Sequence, residues 1–126
     1  MSVKYNVVER GKPGDPSAPK KYYPSAISSG KINMRAVAKR AAEMSTVSMP
    51  DTVAVIEALL AIIPDEMGQG NIVKLGEFGS FWVKVKTEAG ETAEEVSSHN
   101  IIGVVPRFTP GKEFKAQLKL FTFEKK

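Results

Sequence analysis

The chain has 126 residues with no cysteine, one histidine and one tryptophan. Without cysteine there are no disulfides and no thiolate metal sites, and His99 alone cannot assemble a histidine metal set. A solvated loop position explains His99 without a metal. No run of about 18 apolar residues occurs, so no membrane-spanning helix is expected. The N-terminal MSVKYNVVERGKPGD lacks the apolar stretch of a secretory signal, which points to the cytoplasm. The glycines of GQGNIVKLGEFG flank a short strand and lead into another, whereas phosphate-binding loops need a glycine turn that opens a helix. The adjacent carboxylates Asp65–Glu66 and Glu94–Glu95 point apart on either a helix or a strand. Nowhere do a nucleophile, a base and an orienting group come together. No enzyme, cofactor, metal or small-molecule substrate is expected.

With 42% hydrophobic and 25% charged residues, the composition fits one folded domain plus an extension. The net charge of +4 is unevenly spread. Residues 1–30 carry five Lys or Arg against two acids, and residues 101–126 carry six against two. The stretch between them is net acidic, so any basic surface is built from the two ends. Residues 31–126 taken alone are barely basic.

Residues 1–30 read as an extension: a strand over Val3 to Val8, a Gly/Pro-rich loop from Gly11 to Pro19, and an extended KYYPSAISS. From Asn33 the period changes, with Met34, Val37, Ala38, Ala41 and Met44 on one helical face. Ser48 with Asp51 three residues on is a capping-box-like helix start, and Pro50 in the first turn costs no hydrogen bond. Val53, Ile56, Leu59, Leu60, Ile63 and Met67 then form a wide apolar stripe that has to be buried. Pro64 removes one backbone bond and crowds the carbonyl of Leu60, so a kink or a restart is expected there, with the helix ending by Gly68 or Gly70. Next come a strand at Ile72 to Leu75, a tight turn at Gly76 to Gly79, an alternating strand at Ser80 to Lys86, and a polar stretch TEAGETAEEVSSHN. A returning strand covers Ile101 to Phe108, and a helix covers Gly111 to Leu120. LFTFEKK reads as an edge strand able to pair with the extension. Phe78, Phe81 and Phe108 are core candidates. Lys112, Lys115 and Lys119 fall at i, i+3 and i+7, along one side of the last helix.

Two strings carry a more specific signal: VKLGEFGSFWVKV (Val73 to Val85) and VPRFTPGKEFK (Val105 to Lys115). They resemble the signature of the bacterial histone-like HU and integration host factor family, in which LxGFGxF opens a β-ribbon and PxFxxGKxLK closes it. The resemblance covers Asn33 to about Leu120. With its N-terminal extension and terminal strand, the chain also resembles the divergent HU-like branch found with added elements in Bacteroides-type bacteria.

The resemblance implies an α+β fold, an HU/IHF-like intertwined dimer. Two N-terminal helices, a three-stranded β-ribbon with an arm, a short C-terminal helix and extra terminal strands make it up. Its domains would be an extension at 1–30 and an HU-like DNA-binding domain at 31–126. It also implies a homodimer in the nucleoid that holds double-stranded DNA through phosphates with little sequence preference. The implied DNA-binding residues are Gly79 and Ser80 at the turn, Lys84 and Lys86 at the base of the arm, and Arg107, Lys112 and Lys115 at its return, with Lys119 beyond them. At the arm tip the family carries an intercalating proline, and this chain has EAGETAEE, without proline or arginine and with four carboxylates. The alternative implied by that departure is a structural or protein-interaction module that keeps the dimer fold without strong DNA bending.

Overall fold

The computed structural model describes residues 2–126, which form two separate units. One runs to Asn33 and takes in Gln117–Lys126; the other is Met34–Ala116.

In the first unit, alternation of apolar and polar residues produces strand β1 (Ser2–Arg10), which pairs antiparallel with β2 (Lys21–Ala26). The last strand of the chain, β6 (Thr122–Lys125), pairs with β1 in parallel, with Val3 opposite Phe123. The sheet order is β2-β1-β6. Pro24 sits on β2, an edge strand, where its missing N–H costs no ladder bond. Residues 11–20 form a tight loop in which the amide of Asp15 donates to the carbonyl of Lys12 and that of Ala18 to the carbonyl of Asp15.

In the second unit, α1 (Met34–Met44) packs on α2 (Met49–Gly68), and Ala38 of α1 is completely buried. Ser48 caps α2: its hydroxyl accepts from the amide of Asp51 at 3.2 Å, and Pro50 lies in the first turn. At the other end the Asp65 carboxylate accepts from the Gln69 side chain and Glu66 from Asn71. This acidic pair therefore ties down the connection to the sheet.

One expectation for α2 needs correction. No restart occurs at Pro64, because α2 is one helix of 20 residues. The continuous helix sets Ile63, Pro64 and Met67 across an open apolar groove from Phe81, Val83 and Pro106 of the sheet. The apolar stripe is only partly covered within one chain: Val53, Ile56, Leu59, Ile63 and Met67 are half-buried, and Leu60 is 76% exposed.

The second sheet has order β3-β4-β5: β3 (Val73–Lys74), β4 (Gly79–Thr87) and β5 (Ile101–Pro110), all antiparallel. The first of these is shorter than the expected 72–75 strand, while β4 extends one residue past each expected end and β5 runs on from Phe108 to Pro110. A register shift after Lys86 leaves Ile102 as the extra residue of a bulge, between the pairs Lys86–Gly103 and Thr87–Ile101. The last helix, α3 (Lys112–Leu118), stops before the expected Leu120. None of the helices among the described residues is long and apolar enough to cross a membrane.

Candidate nucleic-acid interface

Side chains alternate across a strand, and residues opposite each other in an antiparallel ladder share a face. In the β3-β4-β5 sheet this sorts residues by chemistry. Phe81 pairs with Val73 and Phe108, Val83 with Pro106, and Val85 with Val104, all on one apolar face. On the other face Ser80 pairs with Lys74 and Thr109, Trp82 with Arg107, Lys84 with Val105, and Lys86 with Gly103. That face carries four cations and no carboxylate at any ladder position. The Trp82 indole N–H donates to the Thr109 hydroxyl at 2.8 Å, so the ring lies bound to the sheet beside Arg107. All four cationic side chains are exposed.

The sequence-predicted residues therefore divide. Ser80, Lys84, Lys86 and Arg107 are brought onto one face. Lys74, which sequence reasoning missed, joins them opposite Ser80. The signal for it was present: in V-K-L the lysine alternates with two apolar neighbours, the pattern used to orient Lys84 and Lys86. Lys112 and Lys115 are exposed, one turn apart on α3, which follows β5 through Gly111. Lys119 lies in the turn after α3, so the helical-face argument that grouped it with the other two does not apply. The helix ends earlier because Leu120 and Phe121 close turns on Gln117 and Leu118, leading the chain into β6.

Gly79 is buried, unlike the rest of the group. Its φ is +148°, and a Cβ there would lie 2.5 Å from the Phe108 ring and 2.6 Å from the Thr109 carbonyl oxygen. A Cβ on Gly111 would likewise collide with the carbonyl of Glu77, and the Gly111 amide donates to the carbonyl of Phe78 at 3.1 Å. These two glycines let the turn at 75–79 seat directly on the start of α3. Four phenylalanines close the knot. Phe78 stands 5.7 Å from Phe108 and 5.6 Å from Phe114, while Phe108 is 5.0 Å from Phe81, all centroid to centroid. Each edge-on or tilted pair contributes roughly 0.5–1.5 kcal/mol beyond its buried area. The glycine-aromatic motif is thus the packing device that holds α3 to the sheet.

At the far end of β4 and β5, residues 88–100 form a folded cap. The Glu88 amide donates to the carbonyl of Asn100 at 2.7 Å, and the Asn100 side chain bonds both the carbonyl of Glu88 and the amide of Ser97. Two 3-10 turns, Ala93–Glu95 and Ser98–Asn100, complete it. Glu88, Glu91, Glu94 and Glu95 are exposed on this cap, as is His99, whose amide donates to Ser97 Oγ.

A family model described as "HU domain fused to wHTH, Ig, or Glycine-rich motif" matches residues 1–125. The chain belongs to this HU-HIG family. Its fold is accordingly similar to solved HU-like structures. A crystal structure of HU from Anabaena bound to DNA matches at TM-score 0.55 and 26% identity, over 71% of this chain and 99% of that one. A Bacteroides vulgatus protein described as a candidate bacterial DNA-binding protein matches at TM-score 0.69 and 13% identity, over 98% of this chain. The chain spans about half, 47%, of that protein's length. No curated protein matches it. The HU-HIG family is a DNA-binding rather than an enzymatic one, and the chain has the mixed α+β fold, three helices and two small sheets, that goes with it.

Proposed function

We propose that this chain is a homodimeric nucleoid protein that binds double-stranded DNA with little sequence preference, by phosphate contacts from the basic face of β3-β4-β5 and from α3. The observation that carries this reading is the single-sign face: Lys74, Lys84, Lys86 and Arg107 opposite or beside one another with no acid among them. From the Ser80 row to the Lys86 row is about 20 Å at ~3.4 Å per residue, a length of about six base pairs. Contacts of lysine and arginine to phosphate position a protein without reading bases, hence the expected indifference to sequence. Lys112 and Lys115 extend the charge on α3, and Ser80 supplies a hydroxyl donor beside Lys74. The Anabaena HU–DNA complex, 26% identical, supports DNA as the partner class.

The homodimer rests on α2. Leu60, Val55 and Ile62 are large apolar side chains more than half exposed on one chain, and a groove of about 580 Å³ opens between Ile63, Met67 and the apolar sheet face. Apolar burial contributes ~25 cal/mol per Å², so covering this surface with a second copy is a strong drive to associate. Fold and assembly are then inseparable.

The cap at 88–100 argues against strong bending. Kinking needs a wedge between base steps to offset unstacking of a few kcal/mol, and the cap offers four glutamates and no proline. The same cap favours the second reading, an HU-like dimer whose acidic ends engage protein. Gel shifts with duplex, nicked and four-way-junction DNA at two salt concentrations separate the two. DNA binding predicts complexes that weaken together as salt rises; absence of any complex at low salt would transfer the weight to the interaction module.

A further inference from the structure

We infer that the outer end of the β1–β2 hairpin is a second DNA-phosphate contact, built from Arg10, Lys12 and Lys21 in the N-terminal unit. The inference rests on the DNA-binding reading above but uses none of its residues. Arg10 and Lys21 stand directly opposite each other as the last pair of the β1–β2 ladder. Two like charges in that position repel, and an anion seated between them would relieve the repulsion. Lys12 follows on the loop, and together the three cations line a groove of about 330 Å³ with Tyr23, Pro13 and Pro19.

Of the two acids nearby, only Asp15 shares the loop with these cations, bridged to Lys12. Glu9 pairs with Tyr22 and alternates to the opposite face of the sheet. Asp15, in the loop itself, is turned onto Ser17: its Oδ1 accepts from the Ser17 hydroxyl at 2.7 Å and from the Ser17 amide at 3.1 Å. The hydroxyl, then the amide, hold its carboxyl below the ordinary range, so Asp15 stays anionic and offsets Lys12, while Arg10 and Lys21 keep a net positive charge. Tyr23 lies two residues from Lys21 on the same face, opposite Val8, and offers a ring and hydroxyl to a sugar edge. Prolines at 13, 16 and 19 restrict the loop before any ligand arrives, which lowers the entropy cost of binding.

The class of ligand follows from exposure. Arg10, Lys12 and Lys21 are all open to solvent, with no buried donor to enclose a small anion. Long, hydrated cations around an open groove suit the backbone of a linear polyanion, whose binding is driven by counterion release.

The test uses the full chain and a duplex of about 35 base pairs at ~3.4 Å each. Replacing Arg10→Ala and Lys21→Ala together should weaken binding equally on all sequences and make the slope of log K against log salt shallower by about 0.9 for each phosphate no longer neutralised. The thermal midpoint should hold or rise, because the repelling pair is gone. Independently, Ala18→Cys creates the only thiol of the chain, and an iron chelate attached there should cut the bound duplex. Unchanged slope and no cutting, with the parent chain still binding DNA, would overturn this contact and leave the sheet-face reading standing. A parent chain that binds no duplex at any salt would overturn both.

Discussion

Replacing Gly79→Ala separates packing from recognition in the glycine-aromatic motif. The added methyl meets two obstacles. A side chain at φ +148° is in a region L residues rarely adopt, which costs about 1–3 kcal/mol. A Cβ 2.5 Å from the Phe108 ring and 2.6 Å from the carbonyl oxygen of Thr109 must displace backbone as well as side chain, which costs a further ~1–3 kcal/mol. A loss of about 2–6 kcal/mol is a large share of a small domain's stability, typically about 5–15 kcal/mol. In urea, with a slope of about 1–3 kcal/mol per molar, the midpoint should fall by about 1 M or more. Trp82, the only tryptophan, sits on the same strand and reports the transition by fluorescence. Protein concentration must be held constant if folding and association are linked. Gly68→Ala is the control, because nothing lies within 4 Å of its Cβ and its φ is ordinary; it should be neutral or slightly stabilising. A midpoint that moves less than about 0.3 M for Gly79→Ala, with DNA affinity reduced per folded molecule, would refute the packing role and make the residue a contact.

Ser48→Ala removes the hydroxyl that accepts from Asp51 and should cost about 1 kcal/mol by thermal or urea unfolding, with DNA affinity per folded molecule unchanged. Leu60→Glu puts a charge on the exposed stripe of α2, and light scattering should then show loss of the dimer, with folding abolished or weakened alongside it. Changing Glu91, Glu94 and Glu95 to Lys should tighten DNA binding at low salt, while energy transfer between the ends of a labelled duplex should reveal little bending by the unaltered chain. Lys112→Ala with Lys115→Ala should lower the salt slope by about 0.9 per phosphate no longer neutralised and affect all duplex sequences alike.

Elements with strong periodicity were legible in the sequence. The face of Met34, Val37, Ala38 and Ala41 became α1, and the Ser48 cap lies where its spacing put it. The alternation of Phe81, Val83 and Val85 against Trp82, Lys84 and Lys86 marked both faces of β4. What the sequence hid depends on partners distant along the chain. The V-K-L alternation orients Lys74, but only its register with Ser80 brings it onto the basic face. Pro64 suggested a kink or a restart because local rules count the missing hydrogen bond and the clash with Leu60, yet the helix runs on through it to Gly68. Lys119 looked helical because i+7 spacing continues on paper, whereas turns at Leu120 and Phe121 take the chain into β6. The cap at 88–100 read only as a polar stretch because its order comes from the Asn100 side chain reaching Glu88 and Ser97.

The most direct test of DNA binding by the sheet face is the salt dependence of duplex affinity for the parent chain beside a variant with Lys74, Lys84, Lys86 and Arg107 all changed to Ala. These side chains are exposed, so the variant should fold and remain a dimer. If the face neutralises phosphates, the slope of log K against log salt should fall by up to about 3–4 units per protomer, with affinity at low salt dropping on every sequence tested. Parallel lines of equal affinity for the two proteins would mean that DNA, if bound, is held elsewhere on the molecule.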